Sequence, residues 1–391
     1  MFLYYYHIII NNMKIALFHP WIKSKGGAEN FVLKLLQKSK HKIDLYTWVY
    51  DEENTFSEFK NYNVNILSPK FTKKYSRTHF LRGLFVFFGL VKKIPLEKYD
   101  YFLISTSGIA EIITFRNYKK NKTFAYCHTP LREATPSIIS WNLENRNYSW
   151  IKKQMYLFAI KTYNFLEKKA WKRIDFAIFN SKLTQERAIN KKLISKNKSK
   201  VIYCLDTINF PTNTKNTNKK YFLYVSRLNK PKRQDVLIKA WKNIEKKYPE
   251  YKLIIVGTSE SKEYLDELIK LSKNYNVEIK TNCNTDTVKK LYSECFAGVF
   301  LGFEEDFGLV PFEILAYNKI LIAPNTGGFN ELLDKNELFI PITEKTNNDE
   351  FCKELTKTLE RAINYKIKTI DKTNQIKPID FVKQIDELWK K

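Results

Sequence analysis

Acidic residues are scarce in this chain: 41 Asp and Glu stand against 67 Lys and Arg in 391 residues, a net charge of +26. Such an imbalance invites an anionic partner, either nucleic acid or a negatively charged membrane. No block of like charge stands out, and Lys, Asn and Ile recur throughout, so a general compositional bias accounts for the lysines equally well. Cysteine is scarce too. The five (Cys127, Cys204, Cys283, Cys295 and Cys352) are odd in number and widely spaced, with no C-x-x-C and no histidine pair beside them. That argues against a disulfide framework and a zinc site and favours a reducing compartment. No apolar run reaches about 18 residues, so no spanning helix is expected. The G-x-G-x-x-G fingerprint and the G-x-x-x-x-G-K phosphate loop are both missing, which lowers the dehydrogenase and P-loop NTPase readings. No internal repeat is visible. The start, M-F-L-Y-Y-Y-H-I-I-I-N-N, lacks a basic region and a small-residue cleavage site. Either Met13 reads as the natural start, or residues 1–12 read as a loosely held extension.

What remains is a chain long enough for two ordinary domains, 44% hydrophobic and therefore globular. Short apolar runs at Lys14–Phe18, Ile43–Trp48, Val64–Leu67, Tyr101–Ser105, Lys122–Cys127 and Phe176–Asn180 read as buried strands. Helices alternate with them: Ala28–Lys38, with Phe31, Val32, Leu35 and Leu36 inward, and a long Trp150–Trp171 rich in aromatics and lysine. A polar, patternless stretch, Pro211 to Lys220, reads as a loop near a domain boundary. A second alternation follows, with strands at Tyr221–Ser226, Leu253–Gly257 and Val277–Lys280 and helices from Gln234 and over Asp286–Glu294. The segment 84–91, apolar and flanked by Arg82, Lys92 and Lys93, is too short to span a bilayer. It is either a buried core helix or an interfacial segment that dips toward anionic lipid.

Chemistry-bearing residues gather where strands end. Gly26 and Gly27 let the backbone approach a ligand just before a helix start, although such a pair is as often a simple turn. His128 stands at a strand's carboxyl end, where open α/β sheets place ligands, and can equally be structural. Arg227 and Lys232 flank a strand end and a helix start, where cations can clamp a diphosphate; a solvated basic turn is the competing reading. The densest stretch is Phe300 to Glu331. Gly302 and Gly308 bracket a loop carrying Glu304, Glu305 and Asp306. Pro311 suits a first helical turn, the helix runs over Val310–Tyr317, and Asn318 suits a left-handed cap. Glu305 then lies just before a helix amino terminus and Glu313 about one turn into it. Free N–H groups there favour an anion, while a carboxylate beside them suits sugar hydroxyls. A plain acidic cluster on the helix dipole is the competing reading.

The segment E-D-F-G-L-V-P-F-E resembles the E-x7-E signature of retaining glycosyltransferases of the GT-B fold, in particular glycosyltransferase family 4, and is most similar to their mannosyltransferase-type branch. Gly26-Gly27-Ala28-Glu29, C-H-T-P around His128, N-S-x-x-x-x-x-R from Asn180 to Arg187, and S-R-L-N-K-P-K from Ser226 resemble further family segments in the same order. Two departures are Asn318, where Gly is usual, and Ile320, where Pro is usual.

This resemblance implies two doubly wound Rossmann-like domains facing a cleft: residues 1–208 on the acceptor side, 209–372 for the nucleotide sugar, and 373–391 a helix returning to the first domain. It implies a retaining transfer of a sugar, most readily mannose from GDP-mannose, onto a saccharide or lipid-linked saccharide in polysaccharide biosynthesis. The alternatives are a UDP-sugar transferase of the same fold and a non-catalytic basic protein docking on membrane or nucleic acid. Arg227 and Lys232 would stabilise the leaving diphosphate, Glu305 would bind sugar hydroxyls, and Glu313 would hold the ribose. His128 would bond the donor sugar and help position the acceptor. Gly26, Gly27, Asp306, Phe307, Gly308, Leu309 and Val310 would complete the donor site. With no D-x-D motif, no metal and no cofactor are expected. The expected partners are a nucleotide-sugar donor, a saccharide or lipid-linked acceptor and an anionic membrane surface, without nucleic acid. The expected location is cytoplasmic, peripheral on the membrane's cytoplasmic face.

Overall fold

The computed structural model describes residues 12–68, 92–145, 148–208, 211, 217–259, 261–333, 336–365 and 378–389. The 84–91 segment and residues 1–11 lie outside them. The chain divides into two units, Met1–Thr207 with Ile379–Lys391, and Ile208–Pro378.

Seven strands build the first unit's main sheet: β1 (Lys14–Phe18), β2 (Lys42–Thr47), β3 (Val64–Ile66), β4 (Tyr101–Thr106), β5 (Thr123–Cys127), β6 (Phe176–Phe179) and β7 (Ser199–Val201). They lie in the order β3-β2-β1-β4-β5-β6-β7 and pair in parallel throughout. Sequences such as I-A-L-F in β1 and F-L-I-S-T in β4 are buried along their whole length. That is the pattern of a parallel sheet covered on both faces, where the crossover helices supply the cover. The Gly27–Lys38 helix buries Phe31, Val32, Leu33 and Leu35. Leu36, also expected inward, is only half-buried, two residues before the helix ends in exposed Gln37 and Lys38. The Phe381–Leu388 helix belongs to this unit. Phe381 stacks on Phe31 at 4.8 Å, and the Asp386 carboxylate accepts from Ser39 Oγ at 2.7 Å and from the Lys40 N–H at 3.0 Å.

The second unit repeats the plan with β8 (Tyr221–Val225), β9 (Lys252–Gly257), β10 (Val277–Thr281), β11 (Ala297–Val299), β12 (Ile320–Pro324) and β13 (Phe339–Ile342). Their order is β10-β9-β8-β11-β12-β13, again parallel. In each sheet the order reverses at the first strand, and that switch point is where open α/β sheets hold ligands at the strands' carboxyl ends. The Val310–Ala316 helix ends on Tyr317, and Asn318 takes the left-handed conformation (φ 54°) that its residue type favours there.

Candidate functional site

In the second unit, β8 runs out at Ser226 and Arg227, and a short 3-10 turn, Lys230–Lys232, leads into the Gln234–Lys247 helix. Arg227 is exposed at the strand end. Lys232 reaches across to the loop after β11, where its Nζ lies 2.6 Å from Glu305 Oε2, with side chains only 12% and 16% exposed. The ammonium also sits over the Phe300 ring at 5.2 Å, an arrangement that supplies electrostatic attraction from the ring face. The structure therefore brings together two residues 73 positions apart that sequence reasoning had assigned to one ligand.

Glycine is required around this pair. A Cβ on Gly302 would come within 2.7 Å of Glu305 Oε2 and 3.2 Å of Lys232 Nζ. Gly308 has φ +75° and Gly327 has φ +100°, and a Cβ on either would meet Glu305 atoms at 3.0 Å. The Gly328 N–H donates to the Glu305 carbonyl at 3.1 Å, and the Phe303 N–H donates to the Pro231 carbonyl at 3.1 Å. The Glu305 loop is thus pinned to the turn after β12 on one side and to the Lys230–Lys232 turn on the other. Asp306, Phe307 and Leu309 continue that loop into the Val310–Ala316 helix, with Leu309 at the N-cap and Pro311 in the first turn.

Glu313 lies inside this helix, where Tyr292 of the Thr285–Glu294 helix donates its hydroxyl to Oε2 at 2.8 Å. Burial raises the Glu313 carboxyl above its ordinary range, and the tyrosine hydrogen bond opposes the shift. Tyr292 was not among the expected residues. Its signal would have been the partner a half-buried carboxylate needs, but nothing local in the sequence says which hydroxyl supplies it.

Arg233 was also missed. It is fully buried, takes a left-handed conformation (φ 56°) at the start of the Gln234–Lys247 helix, and pairs with Glu344. Its second guanidinium nitrogen donates to the Lys345 carbonyl at 2.6 Å, and Phe303 and Phe351 lie 4.7 and 4.4 Å from the guanidinium carbon. Burial raises the Glu344 carboxyl, and Arg233 opposes that rise. Of two neighbouring cations, then, Lys232 faces Glu305 while Arg233 holds the interior of the unit together.

The first unit's strand ends carry different chemistry. His128 follows β5, and its N–H donates to the Thr106 carbonyl at 2.8 Å. The Ser105 hydroxyl lies 2.9 Å from His128 Nε2 and 3.0 Å from Nδ1 of His19, the residue after β1. Burial, with the neighbouring His19 adding to it, pushes His128 down to about 3. Burial pushes His19 down to about 4 against backbone hydrogen bonds to Ser105 and Trp21. Both imidazoles are neutral at pH 7, and one serine hydroxyl bridges them at the switch point. His19 could have been found by the rule that singled out His128, since both stand directly after a buried strand. Gly26 is the N-cap of the Gly27–Lys38 helix, and a Cβ there would lie 2.4 Å from Glu29 Oε2, because Glu29 folds back to accept from Ser24 Oγ at 2.6 Å.

Among the described residues no cluster of three or more His, Cys, Asp or Glu is placed to hold a metal ion, and no helix is long and apolar enough to cross a membrane.

Two parallel sheets of this order, each reversing at its first strand, are the architecture of the GT-B fold, which solved glycosyltransferases share. Anabaena HepE, whose structure was solved in complex with UDP and glucose, matches 96% of this chain and 95% of its own with a TM-score of 0.61 at 17% identity. Residues 206–373 match the family Glycosyl transferases group 1, so the second unit carries a domain of that family. It is similar to the alpha-1,3/1,6-mannosyltransferase ALG2 of Kluyveromyces lactis, 25% identical over 382 residues, covering 84% of this chain and 73% of that protein. It is also similar to the human GDP-Man:Man(3)GlcNAc(2)-PP-Dol alpha-1,2-mannosyltransferase, 22% identical over 367 residues, covering 81% of this chain and 73% of that protein.

Proposed function

We propose that this enzyme transfers mannose from GDP-mannose to a saccharide carried on a lipid, with retention of configuration and without a metal ion. The observation that carries the reading is the Lys232–Glu305 pair, held on glycines at the carboxyl end of β8 and β11. Its two charges suit the two parts of a nucleotide sugar. The ammonium, with Arg227 on the same loop, neutralises charge that grows on the departing diphosphate, an electrostatic contribution of the kind that usually dominates such catalysis. The Glu305 carboxylate accepts from sugar hydroxyls. Glu313, oriented by Tyr292, accepts from the ribose. Neutral His128, bridged through Ser105 to His19, contacts the sugar and the incoming hydroxyl without adding positive charge. Two cations in place of a divalent ion make the transfer indifferent to chelators. The names of the fungal and human relatives support mannose and a lipid-linked acceptor. The net charge of +26 supports a place on the cytoplasmic face of an anionic membrane. A UDP-sugar donor is the second reading, favoured by the UDP and glucose of HepE.

The test offers radiolabelled GDP-mannose, UDP-glucose and UDP-N-acetylglucosamine to the enzyme with a lipid-linked chitobiosyl or oligomannosyl acceptor, with magnesium or EDTA. Mannose transfer that persists in EDTA and falls by roughly 10²–10³ in Lys232→Met is the expected result. Transfer from a UDP-sugar alone would move the assignment to the second reading, and dependence on magnesium would overturn the metal-free mechanism.

A further inference from the structure

The Trp150–Trp171 helix buries one face in the first unit through Ile160, Glu167, Ala170 and Trp171. At about 100° per residue, Ile151, Met155, Phe158 and Phe165 fall together on the opposite side, with Trp150 beside them. These five are among the nine large apolar side chains exposed across the described residues, and Trp150 and Phe158 are 74% and 72% exposed. Over half of the exposed bulky apolar side chains thus sit on a single helix, in one stripe roughly 20 Å long at 1.5 Å per residue. A soluble helix of this length ordinarily shows charge where this one shows aromatics.

The charges on this helix are all of one sign toward solvent. It carries Lys152, Lys153, Lys161, Lys168 and Lys169, all exposed, and a single carboxylate, Glu167, which is buried and paired with Lys191 at 2.9 Å. Lys161 and Lys168 line one edge of the stripe, and the Lys169 ammonium lies 4.3 Å from the centre of the Phe165 ring. Lysine stems can cover apolar surface while their heads stay in water. An apolar stripe rimmed by lysines, with no exposed carboxylate to repel phosphate, is complementary to a layer of anionic lipid headgroups above acyl chains. A protein partner would need an apolar groove ringed by acids, and a second copy of this chain would bring lysine against lysine.

We infer that the exposed face of the Trp150–Trp171 helix is the surface by which the enzyme lies on an anionic bilayer, Phe158, Met155 and Ile151 entering the acyl boundary and the lysines engaging the headgroups. The inference rests on the lipid-linked acceptor for its purpose, and it is read without donor or acceptor present. The whole chain is sedimented with vesicles of phosphatidylcholine alone or mixed with phosphatidylglycerol. Wild type should bind the mixed vesicles and largely ignore the neutral ones. Met155→Ser/Phe158→Ser should weaken binding roughly tenfold or more. Lys161→Gln/Lys168→Gln should weaken it by roughly fivefold per lysine and reduce its salt sensitivity. Both variants should keep the wild-type Tm and transfer mannose to a detergent-solubilised acceptor at the wild-type rate. No binding to the mixed vesicles, or binding unchanged in Met155→Ser/Phe158→Ser, overturns the inference and leaves the transfer reaction standing. It is equally overturned if sizing shows a dimer that the serine variant splits, or if that variant loses several degrees of Tm, since the stripe would then be covered by a second copy or by the chain itself.

Discussion

The two units share a strand order and differ in what they place at its switch point. The first presents two neutral imidazoles bridged by a hydroxyl, His19, Ser105 and His128, and burial is what keeps both uncharged. The second presents charge, Lys232 against Glu305 and Arg227 on the same loop, with a further pair, Arg233 and Glu344, set inside. One sheet end suits a neutral hydroxyl whose proton must be managed; the other suits an anion that must be held while it leaves. A repeated backbone plan thus fixes where the chemistry sits, and only the side chains at strand ends fix which chemistry it is.

The sharpest way to break the contrast is inside the second unit. Arg233→Met leaves Glu344 buried without its cation, and such a change should destabilise by about 3–5 kcal/mol, whereas Arg233→Met/Glu344→Leu should recover most of that. Urea unfolding of wild type, single and double variants reads it directly. Equal losses in the single and double variants would show that the guanidinium matters for its packing on Phe303 and Phe351 rather than for its charge.

Lys232→Met should keep the fold and lower kcat by roughly 10²–10³, the usual cost of removing one preorganised charge at a developing anion. Single-turnover mannose release measures it. An effect on KM alone would demote Lys232 to ground-state binding.

The first unit should answer to acid instead. An unfolded histidine takes up its proton near its ordinary value of about 6.5, while folded His19 and His128 refuse it until about pH 4 and about pH 3. The unfolded state therefore binds more protons in that window. The stability present above about pH 6.5 is lost as pH falls, by up to about 1.4 kcal/mol per pH unit for each histidine. Denaturant titrations across that range should show the slope, and His19→Gln/His128→Gln should flatten it. An unchanged slope would mean that both imidazoles charge freely in the folded protein.

The smallest effect belongs to Tyr292→Phe. It removes one hydrogen bond to a half-buried carboxylate, worth about 0.5–1.5 kcal/mol, and should raise the KM for GDP-mannose a few-fold with kcat unchanged. A drop in kcat would mean that Glu313 acts nearer the reacting carbon than the ribose.

Much of this fold was legible because buried parallel strands are written as short apolar runs and punctuated by turn residues. The Trp150–Trp171 helix, the start of the Gln234–Lys247 helix and the Asn318 cap lie where pattern and propensity put them. At the candidate site, residue type and strand-end position single out Lys232 and Glu305, and the structure sets the two side by side. Arg233 was not singled out, because in K-P-K-R nothing local distinguishes a cation that turns inward from one that faces a ligand. The left-handed turn at Arg233 decides it, and Glu344, 111 positions away, makes it tolerable. Ser105 and Tyr292 escaped for the same reason: a bridging hydroxyl is defined by what it lies between, and that is a property of the folded chain.

The Lys232–Glu305 pair has a consequence for turnover. In the unliganded enzyme each charge already answers the other at 2.6 Å. On the proposed reading, a complete nucleotide sugar would give both of them a new partner at once, diphosphate for the ammonium and hydroxyls for the carboxylate. The spent nucleotide would offer only the first, so after transfer Glu305 would compete with it for Lys232. The ion pair would then act as an internal displacer, weakening the grip on product just when the sugar has gone.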